Sequence, residues 1–380
     1  MSSCSPRCLS RPARASLLLS SLLLVVAACG GPPARPAASA PEPAQPSGAS
    51  APAAAAPTAP PALRDIRTSY PSAASTFAPL WAAYEFGIFE QNGLRANEPI
   101  MISGGPANAQ TLTAGELEAS YTAFSPIAAA IAGGAPIKVI GGFGRGFVHQ
   151  LFTKAGTGVT SAQDMRGKRA GVSRLGTESH TVIKLWARAN GLHDDDITYV
   201  NAGTVAERLV ALESGAVDLV PLDPPVVVVA QKRGYIFVAD LAQEPVPWQR
   251  EALAVPDEML RSDPALATAI LRSVSEAAYL IRSNRARFDE VQRKYIKLDD
   301  PDALGAAYRA ALNGWSPRGR PDPTDVQSVL ETIDDEIPGT SAKPYEQFVD
   351  LSVLDRLEGE GLFNRLEQQY PLPPGALPGR

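Results

Sequence analysis

The stretch VAERLVALESGAVDLVPLDP at residues 205–224 decides the fold class, because a helical pattern, a glycine and an apolar strand follow one another in it. Gly215 ends the helical pattern, and glycine commonly follows the last turn of a helix because it tolerates a left-handed backbone. An acid precedes the strand, and a proline turn follows it. Residues 114–119 (AGELEA) repeat the pattern of residues 214–219 (SGAVDL). This repeat predicts two related lobes built from helix–strand units.

Short apolar or β-branched runs alternate with helical patterns on both sides of this repeat, which predicts an α/β fold with parallel sheets. We predict strands near Ile66–Tyr70, Ile100–Ser103, Ala119–Thr122, Ile137–Gly142, Gln150–Lys154, Arg169–Val172, Ile197–Val200 and Val217–Pro221. We predict helices around Phe77–Phe86, Asn108–Thr113, Pro126–Ala132, Ser179–Asn190 and Val205–Glu213. Beyond Gln243 the pattern becomes helical, and an acid before a proline marks helix starts at Asp263, Asp300 and Asp322.

The first 28 residues have the composition of an export signal. Three arginines precede an apolar run at residues 17–26, which is too short to span a bilayer as a mature helix. The run ends in Val26-Ala27-Ala28-Cys29, which resembles the lipobox of bacterial lipoproteins. This resemblance implies a signal peptide over residues 1–28 and a lipid anchor on Cys29, including a palmitate. An ordinary secretory signal with an incidental cysteine is the alternative.

Residues 29–62 consist almost entirely of proline, alanine, glycine and serine. Such a composition cannot bury enough apolar surface to fold, so we predict a disordered tether. Because a proline-rich chain extends by about 3 Å per residue, the tether would let the folded part work roughly 100 Å from its anchor. The predicted location is the extracytoplasmic face of the cell membrane.

Cysteine usage and charge exclude several classes of function. Cleavage before Cys29 leaves the mature chain with one cysteine, which excludes an internal disulfide, a thiolate nucleophile and a cysteine-based zinc or iron–sulfur site. His149, His180 and His193 lack metal-ligand spacing, so we expect neither a metal nor a cofactor. The net charge of −5 becomes −8 once the three arginines of residues 1–28 are removed, which argues against nucleic acid as a partner.

Five segments, in the expected order, resemble those of nitrate/taurine/sulfonate-type ABC importer binding proteins. They are FAPLWAAYEFGIF followed by NGL within residues 77–94, DMRGKRAGVS at 164–173, GTESH at 176–180, SGAVD at 214–218 and GY at 234–235. The resemblance runs from about Leu63 to Phe363. It implies a two-lobed α/β fold of the periplasmic-binding-protein type II, with a ligand cleft between the lobes and a helical C-terminal part.

The resemblance also implies how the chain is divided and what it does. Residues 63–148 and 241–370 are expected to form lobe 1 with the C-terminal helices, and residues 149–240 to form lobe 2, with hinges near 147–151 and 237–241. We expect a monomeric, non-enzymatic solute-binding protein that captures a small anionic or zwitterionic solute such as a sulfonate, taurine or nitrate. It would deliver the solute to an ABC permease with its ATPase subunits and would contact the membrane only through its lipid anchor.

Ligands of open α/β sheets bind beyond the carboxyl ends of the strands, next to helix N-termini that favour anions. Five loops of this chain meet that description, three in the first lobe and two in the second. These loops, the residues next to them and the expected crossover between the lobes provide the candidate ligand-binding residues Tyr70, Ser72, Ser75, Thr76, Gly105, Asn108, Thr122, Phe124, Ser125, Arg145, Ser173, Arg174, Gly176, Thr177, Glu178, His180 and Asp223.

Several candidates have a purely structural alternative. Ser75 or Thr76 can cap the first helix, and Arg174 can be an exposed loop arginine. Arg145 is near the expected crossover between the lobes and faces the cleft only in one of its possible orientations. His180 matches a histidine that some relatives carry at this helix start, whereas others carry aspartate.

Asp223 conflicts with a purely anionic ligand, because a carboxylate that faces the cleft prefers an amine, as in taurine, or a ring N–H. Aromatic residues also divide into two groups. Trp81 and Tyr84 are assigned to helix packing, whereas Phe124 and Tyr70 are candidates for stacking on a ligand.

Two other functions remain possible on this fold. One is an enzyme of the pyrimidine-biosynthesis type, although the mature chain lacks the cysteine-rich segment of that class. The other is a tethered ligand sensor or adhesion module, which has the same sequence features. The cargo of an importer also stays open, because thiamine-precursor pyrimidines and aromatic carboxylates are bound by relatives of this scaffold.

Overall fold

A computed structural model describes residues 62–243, 247–316 and 318–374. The predicted signal peptide, the lipidation of Cys29 and all but the last residue of the predicted tether lie outside these residues. Within the described ranges, every helix is too short or too polar to cross a bilayer.

The strands fall into two groups along the chain, separated by the connections after residues 141 and 240. They are β1 Arg64–Ile66, β2 Thr68–Tyr70, β3 Leu94–Ala96, β4 Ile100–Met101, β5 Ala119–Ala123, β6 Ile137–Gly141, β7 Gln150–Thr153, β8 Lys168–Val172, β9 Ile197–Asn201, β10 Val220–Leu222, β11 Ile236–Asp240 and β12 Glu251–Pro256. The strand predicted over Ile66–Tyr70 is thus two strands, and β3, β11 and β12 were not predicted.

Helices and strands are interspersed up to β12, and only helices follow it in the described ranges. They are α1 Ala78–Glu85, α2 Ile88–Gln91, α3 Gly105–Thr113, α4 Phe124–Ala132, α5 Glu178–Ala189, α6 Val205–Ser214, α7 Pro224–Lys232, α8 Asp257–Ser262, α9 Pro264–Ser283, α10 Arg285–Ile296, α11 Pro301–Gly314, α12 Pro323–Asp334, α13 Tyr345–Phe348, α14 Ser352–Gly359 and α15 Leu362–Gln369. The acids predicted to cap helices do so: Asp263, Asp300 and Asp322 each accept a hydrogen bond from a backbone N–H of α9, α11 and α12.

The first lobe contains a five-stranded sheet in the order β4-β2-β5-β12-β6. Its neighbours β4, β2 and β5 are parallel, whereas β12 runs antiparallel to both β5 and β6. The prediction of parallel sheets is therefore wrong at β12, and it is also wrong for the sheet of β7, β10 and β11. Its sequence EALAVP is rich in residues that favour helices, but Leu253 and Ala254 are fully buried on opposite faces of the sheet.

The second lobe contains the antiparallel sheet β10-β7-β11 and the parallel pair β8-β9. Helix α6 packs on β10 and α7 packs on β7, and Leu209 of α6, Val227 of α7 and Phe152 of β7 belong to one apolar core. β7 follows the first connection from the first lobe, β11 precedes the second connection back to it, and the two strands pair with each other. The connections are therefore anchored to each other at their second-lobe ends.

The sequence repeat has a matching structure in the two lobes. Arg67 donates hydrogen bonds to Glu118 and to the carbonyl of Gly115, which ends α3. Arg169 donates in the same way to Asp218 and to the carbonyl of Gly215, which ends α6. Gly115 and Gly215 have φ values of 74° and 77°, which L-residues with a side chain rarely adopt. This supports the prediction of two related lobes.

Candidate functional site

A cavity with about 650 Å³ of empty space, including its open mouth, lies where the strand-end loops of the two lobes meet. We call it the central cavity. Its first-lobe wall contains Pro71, Ser72, Ala74, Thr76, Phe77, Ser103, Gly104, Gly105, Ala123 and Pro126. Its second-lobe wall contains His149, Ser173, Thr177, Glu178, Ser179, Gly203, Thr204, Val205, Arg208 and Asp223.

Helix N-termini of both lobes open onto the central cavity. α3 begins at Gly105, α5 at Glu178, α6 at Val205 and α7 directly after Asp223. A Cβ on Gly105 would lie 2.3 Å from Pro126 in α4, so only glycine lets these two helices approach as they do. The first turn of a helix presents free N–H groups and a partial positive charge, which favour an anion.

Arg208 is the cation of the central cavity. It lies on the buried face of α6 and is only 2% exposed. Its Nη2 atom is 3.7 Å from Oδ2 of Asp223, while Nε and Nη1 have no hydrogen-bond partner among the described residues. Burial lowers the pKa of Arg208, and the charges of Asp223 and Glu178 oppose that shift. A buried guanidinium with two unused N–H groups is a strong binding site for an anionic oxygen.

Asp223 is shared between Arg208 and a buried histidine. Its Oδ1 atom lies 3.2 Å from Nε2 of His149, which is 4% exposed. Burial lowers the pKa of His149 to about 4, although the charge of Asp223 partly opposes this, so the ring is neutral at pH 7. The negative charge of Asp223 is therefore used within the protein. The sequence suggested that Asp223 would be a partner for an amine of the ligand, but its carboxylate already has two partners in the protein.

Glu178 lines the central cavity from the first turn of α5, and its Oε1 atom has no partner among the described residues. Burial raises its pKa well above the usual value, and the nearby charge of Glu251 raises it further, against the effect of Arg250. At a pH below this raised value the side chain is an uncharged acid. In that form it can donate a hydrogen bond to an anion.

The first lobe has its own buried ion pair behind the central cavity. Nε of Arg250 contacts Oε1 of Glu251, and both side chains are almost fully buried. Thr76 also donates a hydrogen bond to Glu251, while Arg250 donates to the carbonyls of Gly146 and Gly314. These charges are therefore neutralised by the protein itself.

The central cavity brings together part of the predicted site. The residues that line it are Ser72, Thr76, Gly105, Ser173, Thr177, Glu178 and Asp223. The predicted residues that do not line it are Tyr70, Ser75, Asn108, Thr122, Phe124, Ser125, Arg145, Arg174, Gly176 and His180. We do not include the second group in the proposed ligand shell.

Four residues of the second group have a structural role in the first lobe. Tyr70 packs edge-on against Trp81, and Phe124 is fully buried. Trp81 stacks on Tyr295, as expected for a packing residue. Asn108 donates to the carbonyls of residues 102 and 104, and Ser75 donates to Gln292 instead of capping a helix.

Three other polar side chains of the second group, those of Thr122, Ser125 and Arg145, also lie outside the central cavity. Thr122 and Ser125 are buried without a hydrogen-bond partner among the described residues. Arg145 forms ion pairs with Asp322 and Asp325, away from the central cavity.

His180 accepts a hydrogen bond from the N–H of Gly176 through Nδ1, and its ring packs edge-on against Tyr199. Burial lowers its pKa. Both interactions belong to the loop and strand of the second lobe, so they fix the start of α5.

Arg174 lies at the mouth of the central cavity and crosses from the second lobe to the first. Its Nη1 atom donates a hydrogen bond to the carbonyl of Ser103 at 3.2 Å. Gly104 has a φ of 86°, and a Cβ there would lie 2.8 Å from Cδ of Arg174. Ser103 and Gly104 both line the central cavity, so Arg174 contacts the rim of the site and not its interior.

Arg208 and His149 were not predicted from the sequence. A signal for Arg208 is present, because Val205, Arg208, Leu209 and Leu212 have the spacing of one helix face and all are buried. A charged residue at a core position of an amphipathic helix indicates a buried partner or a ligand. His149 has no such signal, because it lies in the connection between the sheets.

The sequence model described as NMT1/THI5 like matches residues 74–285, which is more than half of the chain. The chain belongs to the NMT1/THI5-like family. The match includes both walls of the central cavity except for Pro71 and Ser72, which lie in the loop after β2. No curated protein matches the chain significantly.

Several solved structures share this fold at low sequence identity. A Bordetella bronchiseptica RB50 protein has 19% identity and a TM-score of 0.69, over 81% of this chain and 98% of that one. The alkanesulfonate-binding protein SsuA from Xanthomonas axonopodis pv. citri bound to MOPS has 16% identity and a TM-score of 0.63, over 77% of this chain and 98% of that one. The periplasmic nitrate-binding protein NrtA from Synechocystis PCC 6803 has 14% identity and a TM-score of 0.57, over 84% of this chain and 92% of that one.

A DszB mutant in complex with biphenyl-2-sulfinic acid also matches, with 17% identity and a TM-score of 0.55, over 78% of this chain and 100% of that one. At such identities these likenesses establish the fold. Together with the family match, they confirm the predicted resemblance and the two-lobed periplasmic-binding-protein type II fold.

Proposed function

We propose that the protein is the extracytoplasmic solute-binding component of an ABC importer and that it captures a small organic anion in the central cavity. The observation that carries this proposal is the buried guanidinium of Arg208, which has two N–H groups without a partner among the described residues. Leaving buried donors unsatisfied costs free energy, and an anionic oxygen would satisfy them. The binding proteins for an alkanesulfonate and for nitrate on the same fold support this choice.

The charge balance of the site also favours an anion. Asp223 and Glu251 oppose Arg208 and Arg250, while burial keeps His149 neutral at pH 7 and raises the pKa of Glu178. The helix N-termini at Gly105, Glu178 and Val205 add partial positive charge. The raised pKa of Glu178 disfavours the anionic form of the one further carboxyl group that lines these N-termini among the described residues.

We propose that the two lobes close on the solute, as in other proteins of this architecture. Ion pairs and hydrogen bonds already join the lobes, and Lys232 of α7 contacts Asp300 and Asp302 at 2.6 and 2.8 Å. A solute that contacts both walls stabilises the closed form by its greater affinity for that form. In this proposal the lobes divide near residues 148 and 240. The second hinge follows Asp240, because the predicted segment 237–241 overlaps the paired strand β11.

The proposal has three further parts. The protein delivers its solute to a permease and its ATPase subunits, it is a monomer, and it is anchored through a lipid on Cys29 with residues 29–62 as the tether. The enzyme alternative rests on the shared fold of DszB. No cysteine occurs in the sequence after Cys29, so thiol chemistry is not available to the central cavity. A tethered sensor would use the same cavity, and it differs from an importer component only in its partner.

The binding step is tested by isothermal titration calorimetry with nitrate, taurine, alkanesulfonates, aromatic carboxylates and a thiamine-precursor pyrimidine. We expect at least one organic anion to bind the purified protein and Arg208→Gln to lose that binding. Arg233→Gln is the matched control, because Arg233 is an exposed arginine of the same lobe that pairs only loosely with Glu213. If no anion binds, or if both variants bind like the wild type, the proposal is wrong.

A further inference from the structure

A second cavity adjoins the central cavity, and we call it the side cavity. It has about 360 Å³ of empty space, including its opening, and shares Ala74, Thr76 and Asp223 with the central cavity. The rest of its wall is mainly apolar and comes from the first connection, α7 and α11. These residues are Val148, Pro224, Ala307, Ala310, Ala311 and Trp315.

The hydroxyl and charged groups in the wall of the side cavity all have partners within the protein. Ser75 donates to Gln292 at 2.7 Å, and Thr76 donates to Glu251. Asp223 contacts His149 and Arg208. Arg250 pairs with Glu251 and donates to backbone carbonyls through both terminal nitrogens. A polar ligand group would find no unsatisfied charge or hydroxyl here.

The central cavity has the opposite character. Nε and Nη1 of Arg208, Nδ1 of His149 and Oε1 of Glu178 are buried and lack partners among the described residues. Among the described side chains that line the two cavities, those with unsatisfied polar atoms therefore belong to the central cavity, and the apolar wall belongs to the side cavity. A ligand that matches both cavities has an anionic head and an apolar tail.

We propose that the side cavity holds the hydrocarbon part of the solute, while its sulfonate or carboxylate lies at Arg208. The inference rests on the proposed function and narrows it, because nitrate and taurine lack a part that could fill the side cavity. Alanine side chains leave this space between α7 and α11, and burial of apolar surface there would add affinity.

Calorimetry with methanesulfonate, butanesulfonate and hexanesulfonate tests the inference, and hexanoate distinguishes a sulfonate from a carboxylate site. Each methylene that becomes buried should strengthen binding about fourfold. Ala310 is half-buried in the side cavity, so Ala310→Leu should fill that space and weaken hexanesulfonate binding at least tenfold, with methanesulfonate unaffected. Ala306→Leu is the matched control, because Ala306 is half-buried in the same helix and lines neither cavity.

The outcomes separate this inference from the proposed function. If methanesulfonate binds as tightly as hexanesulfonate, or if Ala310→Leu weakens both equally, the side cavity does not hold a tail. If none of these ligands binds while another anion of the wider calorimetric panel does, this inference fails and the proposed function stands; if no anion of that panel binds, both fail. Binding of methanesulfonate to Ala310→Leu shows in the same experiment that this variant is folded.

Discussion

Nη2 of Arg208 lies 3.7 Å from one carboxylate oxygen of Asp223, and Nε2 of His149 lies 3.2 Å from the other. This arrangement pairs a buried cation with one carboxylate and leaves two of its nitrogens without a partner among the residues that the structure describes. Breaking such a pair leaves an uncompensated charge, so both partners are needed for stability. In the proposed binding mode the ligand completes the coordination of Arg208 without having to displace Asp223.

Asp223→Asn should therefore destabilise the free protein and increase its response to an anion. Loss of one partner of a buried ion pair costs about 3 kcal/mol, and the unpaired Arg208 should then bind an anionic head more tightly. We expect a lower melting temperature without ligand and a larger ligand-induced rise than in the wild type. Asp289→Asn is the control, because Asp289 forms an i,i+4 pair with the exposed Arg285. A melting temperature unchanged by Asp223→Asn would mean that the Arg208 pair does not stabilise the fold.

Glu178→Gln should stabilise the protein at high pH but not at low pH. The folded-state pKa of Glu178 lies above its ordinary value of 4.5, so folding takes up a proton between these two values. The free energy of unfolding of the wild type then falls as pH rises through this window, by up to about 1.4 kcal/mol per pH unit. Glutamine has no proton to take up.

Urea denaturation at pH 4, 6 and 8 measures this difference. The advantage of Glu178→Gln should be near zero at pH 4 and should increase with pH. Glu213→Gln provides the control, because Glu213 is exposed near the end of α6. A constant difference across this range would show that Glu178 is ionised in the folded protein.

Arg174→Ala should accelerate the release of the solute while leaving the free protein as stable as before. Its hydrogen bond to the carbonyl of Ser103 joins the lobes at the rim of the central cavity. A bond of this kind contributes about 0.5–1.5 kcal/mol, which corresponds to roughly a two- to tenfold faster dissociation. Stopped-flow measurement of the dissociation rate checks this, with Arg166→Ala as control, because Arg166 pairs with Asp196 within the second lobe. An equal dissociation rate in both variants would exclude a role of Arg174 in closure.

The repeat and the helix caps could be predicted because they depend on neighbouring residues. The structure confirms two of these local features. Gly215, shortly before Asp218, ends α6 with a left-handed backbone, and Asp300 caps α11, which begins at Pro301. β12 could not be predicted in this way. Its EALAVP sequence becomes a strand only because β5 and β6 provide partners more than a hundred residues earlier in the chain.

The site could be predicted to the level of its loops but not of its charges. Ser173, Thr177 and Glu178 line the central cavity because a strand end and a helix start lie there. Arg208 lines it through the side of α6, and His149 through the connection between the lobes, so neither follows from a strand-end rule. Asp223 was predicted as a ligand contact, but its charge is engaged by these two residues, which only the folded structure brings together.

A crystal structure of the protein with hexanesulfonate tests the central claim most directly. We expect sulfonate oxygens within hydrogen-bond distance of Nε and Nη1 of Arg208, with the ion pair between Arg208 and Asp223 retained and the alkyl chain beside Trp315. A sulfonate bound elsewhere, with those two nitrogens still without a ligand, would contradict the account.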